Sequence, residues 1–397
     1  MKYVILIMDG ASGYPITERG GKTSLELAKT PNLDALAKEG AVGLARTVPP
    51  GMEASSACAC MSVLGYDPKI YYKGRAGIEA RSMGIPIGDG EVVFRCNLVA
   101  VKDGRMWSYS SGYIGTEESH ALIDALNKNL GSDNVHFYPG VSYRHICKIK
   151  GREETLQAEC TPPHDIPDKE IAEFLPHGPG SEVLNDLMAR SAAVLKEHPV
   201  NRARIANGAI PATLIWLFWG SSRLPSMPSF ESRYGLKAVM NSGVDLLNGL
   251  AQLAGMGVLT IPGVTDNLEN DYSAQVKGAI AALAEYDLVV IHIEAPDEAA
   301  HDRAIDAKIE AIERIDDEVV GRLRSYPGEM RLLIMPDHPT PIEVRTHTDD
   351  PVPFIIWGKG VKPNGAAAFT EAEAARTGLL LEKGYKIMEA FIQKADS

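Results

Sequence analysis

The stretch Leu288-Val289-Val290-Ile291-His292-Ile293-Glu294-Ala295-Pro296-Asp297-Glu298-Ala299-Ala300-His301 decides the fold. Its first six residues form a short β-rich run of the kind found in buried parallel strands. A helix starting near Asp297 would put positions i and i+4 on one face, so that Asp297 and His301 stand together where the strand ends. Asp–x–x–x–His is common on solvated helices, and its place directly behind a buried strand is what gives it weight.

The same alternation recurs outward in both directions. Residues 3–8, 213–218, 258–261, 332–335 and 354–357 are similar short apolar runs, read as buried parallel strands. Helical patterns lie between them. Residues 32–38 carry Leu33, Leu36 and Ala37 and stop at Gly40, 274–283 are alanine-rich, and 302–323 set Ile305, Ile309, Ile312 and Ile315 in a stripe. Alternating strand and helix predicts an α/β fold with a doubly wound, mostly parallel sheet. Ligands of such sheets gather outside the carboxyl ends of strands. Asp9 ends one run there, and Asp337-His338 end another. With Ser56, Asp297, His301 and His347 they make three carboxylates, three imidazoles and a hydroxyl, a set suited to two divalent metal ions.

The middle of the chain reads differently. Residues 92–101, 135–137 and 146–149 look like strands of mixed polarity, 116–130 like a helix, and Pro162, Pro163, Pro167, Pro176 and Pro179 then break the chain repeatedly. An inserted smaller α+β cap domain is therefore expected at 86–205, within a metal-binding core of 1–85 and 206–397. Small residues at 84–90 and 206–212 suit hinges.

At 397 residues the chain has room for two domains. A net charge of −12 argues against nonspecific nucleic-acid binding but leaves room for a local cationic pocket. Five cysteines without a framework spacing point to reduced thiols and a cytoplasmic protein. The first apolar run is too short for a signal segment, and no run reaches the length of a membrane span, so no membrane partner is expected.

Residues 51–68 read as a loop opening a short helix that closes at Gly65. A serine there is ordinarily a cap. As a nucleophile, Ser56 would need a metal to lower its pKa, and the helix N-terminus would favour a nearby phosphate. Arg75 beside Gly74 suits bidentate phosphate contact. Arg144, His164 and Asp165 lie in the expected insertion, where they could meet a substrate.

Met8-Asp9-Gly10, Lys22-Thr23 through Pro31-Asn32-Leu33-Asp34, Leu64-Gly65-Tyr66-Asp67-Pro68, Gly74-Arg75, Glu294-Ala295-Pro296-Asp297-Glu298, Pro336-Asp337-His338 and Asp350-Pro351-Val352-Pro353-Phe354 span the chain almost end to end. Together they resemble the cofactor-independent phosphoglycerate mutases, archaeal-type branch, of the alkaline phosphatase superfamily. The resemblance implies that Asp297, His301 and His347 bind one metal and that Asp9, Ser56, Asp337 and His338 bind the other. It selects Ser56 over Ser55 by its spacing to Gly65-Tyr66-Asp67-Pro68. The implied activity is a glycolytic isomerase that moves a phosphoryl group between the 3- and 2-positions of glycerate through a phosphoserine. Manganese is the expected metal, with magnesium, cobalt or zinc as substitutes. The partner is a small phosphorylated hydroxy acid, and a homo-oligomer is compatible with the sequence. Ala57 and Cys60 depart from the family pattern beside the nucleophile. Two alternatives stay open: a homoserine kinase-like phosphotransferase using the same serine and metals, and a non-catalytic metal-binding protein on the same fold.

Overall fold

The computed structural model describes residues 1–224 and 226–392. The chain forms two compact units, Met1–Tyr72 with Ser226–Ser397, and Lys73–Pro225. Among the described residues, no helix is long and apolar enough to cross a membrane.

The first unit is built on the strand Lys2–Met8, whose side chains from Tyr3 onward are buried on both faces. Leu288–Ile293 and Met330–Met335 flank it, both parallel to it and both fully buried. The sheet runs in the order Leu380–Leu381, Ala41–Ala45, Val352–Gly358, Met330–Met335, Lys2–Met8, Leu288–Ile293, Ala238–Asn241, Gly257–Val258. It is mostly parallel; Val352–Gly358 runs antiparallel to both neighbours. Helices supply the apolar cover that two buried faces require. One is Pro31–Glu39, which buries Leu33, Leu36 and Ala37. Pro31 suits its opening turn, and the Asp316 carboxylate accepts the N–H groups of Asn32 (3.1 Å) and Leu33 (2.7 Å). Those donors have no partner inside a helix.

Register positions the site. Met8 pairs with Ile293 and Ile7 with Met335, so three strands end at nearly one level. The residues just beyond are Asp9, Glu294 and Asp337.

Several expectations are corrected. Residues 213–218 are not a parallel core strand: Leu214–Ser222 pairs antiparallel with the long strand Glu91–Lys102 of the second unit. The second unit is accordingly wider than 86–205. Helix Arg75–Ser82 belongs to it as well, and its Ala76 and Ala80 pack with Val93 and Ile146. Residues 84–90 and 206–212 lie inside this unit, away from its borders. Residues 258–261 keep only Gly257–Val258 as strand, because this is the sheet edge. The helical stretch 302–323 is Ile305–Arg314, a π-helical segment Ile315–Val320 that carries Asp316, and Gly321–Arg324.

In the second unit Glu91–Lys102 also pairs antiparallel with Arg144–Lys150, which pairs with Val135–Tyr138. Helices Thr116–Leu130 and Ser181–Lys196 bury Leu122, Ile123, Leu126, Leu184 and Leu187 against this sheet. Glu79 Oε1 accepts from two guanidiniums, that of Arg95 in the sheet (2.5 Å), a buried ion pair that ties the helix at 75–82 to it, and that of Arg75 in the same helix (2.9 Å). Burial alone would raise the Glu79 pKa, but the two arginines outweigh it and pull it from an ordinary 4.5 to about 2. A depressed carboxylate pKa stabilises fully above the unfolded value and is lost as pH falls toward the folded one. Stability should therefore drop between about pH 4.5 and pH 2, measured by denaturant titrations at each pH. Glu79→Gln should flatten that slope while costing roughly 3–5 kcal/mol at neutral pH, the usual cost of stripping one partner from a buried pair.

Candidate active site

The seven residues expected to meet do meet, and all belong to the first unit. Asp9, Asp337 and His338 leave the ends of two adjacent strands and are completely buried. Pro296 sits in the opening turn of helix Ala295–His301, which places Asp297 and His301 one turn apart on the same side. His301 Nε2 lies 3.1 Å from Asp297 Oδ2, and His347 Nε2 lies 3.5 Å from the same oxygen. The two Nε2 atoms are 3.0 Å apart. The His347 ring stacks on His338 with centroids 4.0 Å apart. His338 Nε2 then reaches Asp337 Oδ2 (3.3 Å), Asp9 Oδ1 (3.6 Å) and Ser56 Oγ (3.2 Å). Ligand atoms of Asp297, His338 and His347 cluster within 4.8 Å, as do those of Asp9, Asp337 and His338. A third group, Asp9, His292 and Glu294, lies equally close, and His338 belongs to the other two.

The imidazoles have a common polarity. His301 Nδ1 faces the Arg345 carbonyl (3.0 Å) and His347 Nδ1 faces the Ala54 carbonyl (3.1 Å). A carbonyl only accepts, so each Nδ1 carries a proton, and in the neutral ring each Nε2 has its lone pair facing inward. His338 follows suit. Thr340 Oγ1 donates to Asp297 Oδ1 (2.5 Å) and is left to accept from His338 Nδ1 (3.2 Å). Three lone pairs and three carboxylates therefore converge. Asp9 Oδ1 is buried and accepts no hydrogen bond. Such a set fits divalent cations, for which imidazole nitrogen and carboxylate oxygen are ordinary ligands.

Acid–base behaviour reflects the crowding. Burial, then the charges of Asp337 and Asp297, hold Asp9 well above the usual carboxylate range. Burial would raise Asp297 too, but His347 and His301 outweigh it and keep its carboxyl well below that range. Burial would lower His301, yet Asp297 pushes it up to about 9. Without a cation, a proton takes the place between them.

Ser56 opens the helix Ser56–Val63, all of whose residues are buried, so the serine is not on a surface loop. Its neighbours are committed elsewhere. Ser55 is the cap, accepting Cys58 N–H (3.4 Å), and Ser62 Oγ donates to the Thr47 carbonyl (2.5 Å). Cys60 Sγ donates to Asp337 Oδ2 at 3.5 Å. Burial and the Asp337 charge push the Cys60 thiol up, so it stays a donor.

Three contributors escaped the sequence reading. His292 Nε2 lies 2.8 Å from Asp9 Oδ2; an imidazole inside an otherwise apolar strand was the available signal. Lys308, fully buried, donates to the carbonyls of Ser12 (3.2 Å) and Thr340 (2.8 Å), and burial brings it down to about 8. It stands four residues before Ile312 on the buried stripe, where lysine breaks the pattern. Gly10 holds φ +59°, and a Cβ there would lie 2.4 Å from Asp297 Oδ1.

Arg75, Arg144, His164 and Asp165 lie in the second unit, linked by aromatic rings. Arg75 stacks on Trp219 (4.2 Å), which packs against His164 (5.4 Å). His164 Nε2 is 3.9 Å from Asp165 Oδ1. Tyr109 joins His164 (6.3 Å) to Tyr143 (5.9 Å), over which Arg144 lies (5.8 Å). Trp219 has φ 52° and sits opposite the register shift between Val93 and Arg95. Such bulges re-aim a side chain out of the regular pleat.

Over residues 37–201 the chain matches the model of the family described as 2,3-bisphosphoglycerate-independent phosphoglycerate mutase. It is 47% identical to the protein of that name from Methanothrix thermoacetophila, over 99% of this chain and 100% of the other. It is 43% identical to the one from Methanosarcina barkeri, over 96% of each. Among solved structures, a Pyrococcus horikoshii protein superposes with a TM-score of 0.81 at 29% identity, over 100% of this chain and 99% of the other. A cofactor-independent phosphoglycerate mutase from Thermoplasma acidophilum gives 0.62 at 25% identity, over 100% of both. Identity at this level, sustained along the whole chain and joined to the fold above, is that of common descent: the chain belongs to the 2,3-bisphosphoglycerate-independent phosphoglycerate mutase family.

Proposed function

We propose that this chain interconverts 3-phosphoglycerate and 2-phosphoglycerate, without added bisphosphoglycerate, by passing the phosphoryl group through Ser56. One observation carries the assignment of the nucleophile: Ser56 Oγ is 3.2 Å from His338 Nε2, while the hydroxyls of Ser55 and Ser62 are engaged with the backbone. Asp9, Asp297, His301, Asp337, His338 and His347, with Ser56 Oγ, would hold two divalent ions, manganese by preference. When bound, such ions lower the pKa of a hydroxyl and neutralise charge on the transferring phosphoryl group.

The chain's own groups do the rest. The opening turn of helix Ser56–Val63 favours a phosphate by its dipole and backbone N–H groups. Ser56 Oγ gives up its proton and bonds to phosphorus as the bond from phosphorus to the C3 oxygen breaks, and that oxygen takes a proton. The glycerate stays bound. Its C2 hydroxyl then loses a proton and bonds to phosphorus, the bond to Ser56 breaks, and the serine regains its hydrogen. No second donor is consumed. Arg75 and Arg144 are proposed to hold the substrate's anionic groups, and His164 and Asp165 its hydroxyls. Cys60, as a thiol donor to Asp337, does for that carboxylate what a polar side chain would do.

Ser56→Ala should lower kcat by roughly four orders of magnitude or more, the scale seen when a covalent nucleophile is removed, while manganese content stays at two ions per chain. Wild-type turnover in that variant would end the covalent mechanism. Stripping the enzyme with a chelator should abolish activity and lower the melting temperature, and manganese should restore both. Gly10→Ala should cost about 1–3 kcal/mol for the left-handed backbone and loosen metal retention by displacing Asp297, read by metal analysis after gel filtration. An enolase-coupled assay with manganese tests the reaction itself. Formation of 2-phosphoglycerate is expected. Its absence in a sample that phosphorylates homoserine from ATP would assign the chain as a kinase.

A further inference from the structure

His292 differs from every other imidazole near the site. It is buried inside the strand Leu288–Ile293, at 1% exposure. Its Nε2 faces Asp9, and its Nδ1 faces the hydroxyl of Ser242. Ser242 Oγ accepts Val244 N–H at 3.0 Å and meets His292 Nδ1 at 2.9 Å. The serine's own hydrogen is then free to be donated to Nδ1, which leaves the ring proton on Nε2. That proton faces Asp9 Oδ2 at 2.8 Å. A neutral imidazole carries one N–H, so with Nδ1 accepting from Ser242 the proton on Nε2 is the one that meets Asp9. The backbone behind His292 is held too: Gln275 Nε2 donates to the His292 carbonyl (3.0 Å), and Asn270 Nδ2 donates to Gln275 Oε1 (2.7 Å). The outcome falls on Asp9. One of its oxygens is committed to a hydrogen bond, and the other, Oδ1, is buried, without a hydrogen bond, and 3.6 Å from His338 Nε2.

We propose that Ser242 and His292 form a positioning pair that fixes the Asp9 carboxylate, so that Oδ1 alone is presented to the cation shared with Asp337 and His338. The inference rests on Asp9 being a metal ligand. It makes His292 a donor rather than a ligand, and it confines the effect of His292 to one of the two ions. Outer partners of this kind typically set metal affinity by about 10–100-fold.

The test is a titration of the stripped full-length protein with manganese, followed by calorimetry and by the electron paramagnetic resonance of free manganese. The wild type should take up two ions. His292→Leu should bind one of them 10–100-fold more weakly and the other unchanged. Its kcat should fall at limiting manganese and recover in excess, with KM for 3-phosphoglycerate unmoved. His292→Gln keeps an N–H donor at the same reach and should return to within about threefold of wild type. Ser242→Ala frees the tautomer and should fall between them. Three outcomes would overturn the inference: both ions bound normally by His292→Leu, both weakened equally with a lower melting temperature, or no rescue by glutamine. A wild type that binds no manganese would instead refute the metal site itself. Stoichiometry in the wild type and the variant-to-wild-type ratio therefore report on separate claims.

Discussion

Everything in the first unit answers to one electrostatic problem. Three carboxylates and three imidazoles are packed together, the carboxylates and His338 buried and His301 and His347 partly exposed, and like groups among them repel one another. Each buried anion costs several kcal/mol unless something positive is near. Neutral hydrogen bonds relieve part of this, Thr340 to Asp297 and Cys60 to Asp337, but Asp9 Oδ1 accepts none. It supplies one fixed cation, Lys308, tied to the carbonyls of Ser12 and Thr340 in two of the ligand-bearing loops. The remainder is left to mobile cations, or to protons when those are missing.

The fold makes such crowding tolerable by spreading its supports over different elements. Parallel register brings Asp9 and the residues after Ile293 and Met335 to a common rim. Backbone carbonyls orient His301 and His347, and a threonine orients both Asp297 and His338. These four side chains are thus held by groups outside the cluster. Positioning of this kind is what electrostatic stabilisation of a transferring phosphoryl group demands.

Much of this was legible in the chain. Asp297 and His301 could be read because a helix spacing followed an unmistakable strand. Asp9 and Asp337-His338 were equally visible at strand ends. The strand 213–218 misled because an apolar run looks the same in a parallel core sheet and in the buried centre of an antiparallel one; only pairing with Glu91–Lys102 distinguishes them. His292 and Lys308 were passed over because periodicity assigns a position to the interior without asking whether its side chain belongs there. The orientation of each imidazole lay beyond sequence altogether, since it depends on carbonyls such as those of Ala54 and Arg345, which any residue type would offer.

The central strand has a consequence for biosynthesis. Lys2–Met8 leaves the ribosome long before the strands that flank it, which begin at Leu288 and Met330. Between them lies the contiguous unit Lys73–Pro225, whose strands all find partners within that span. That unit can complete its pairing while the first strand still waits, apolar on both faces and with both edges open. Closing so long a loop is slow, and an unpaired strand of this composition invites association with other chains. The cluster of Asp9, Asp337 and His338 can close only after both flanking strands have been made.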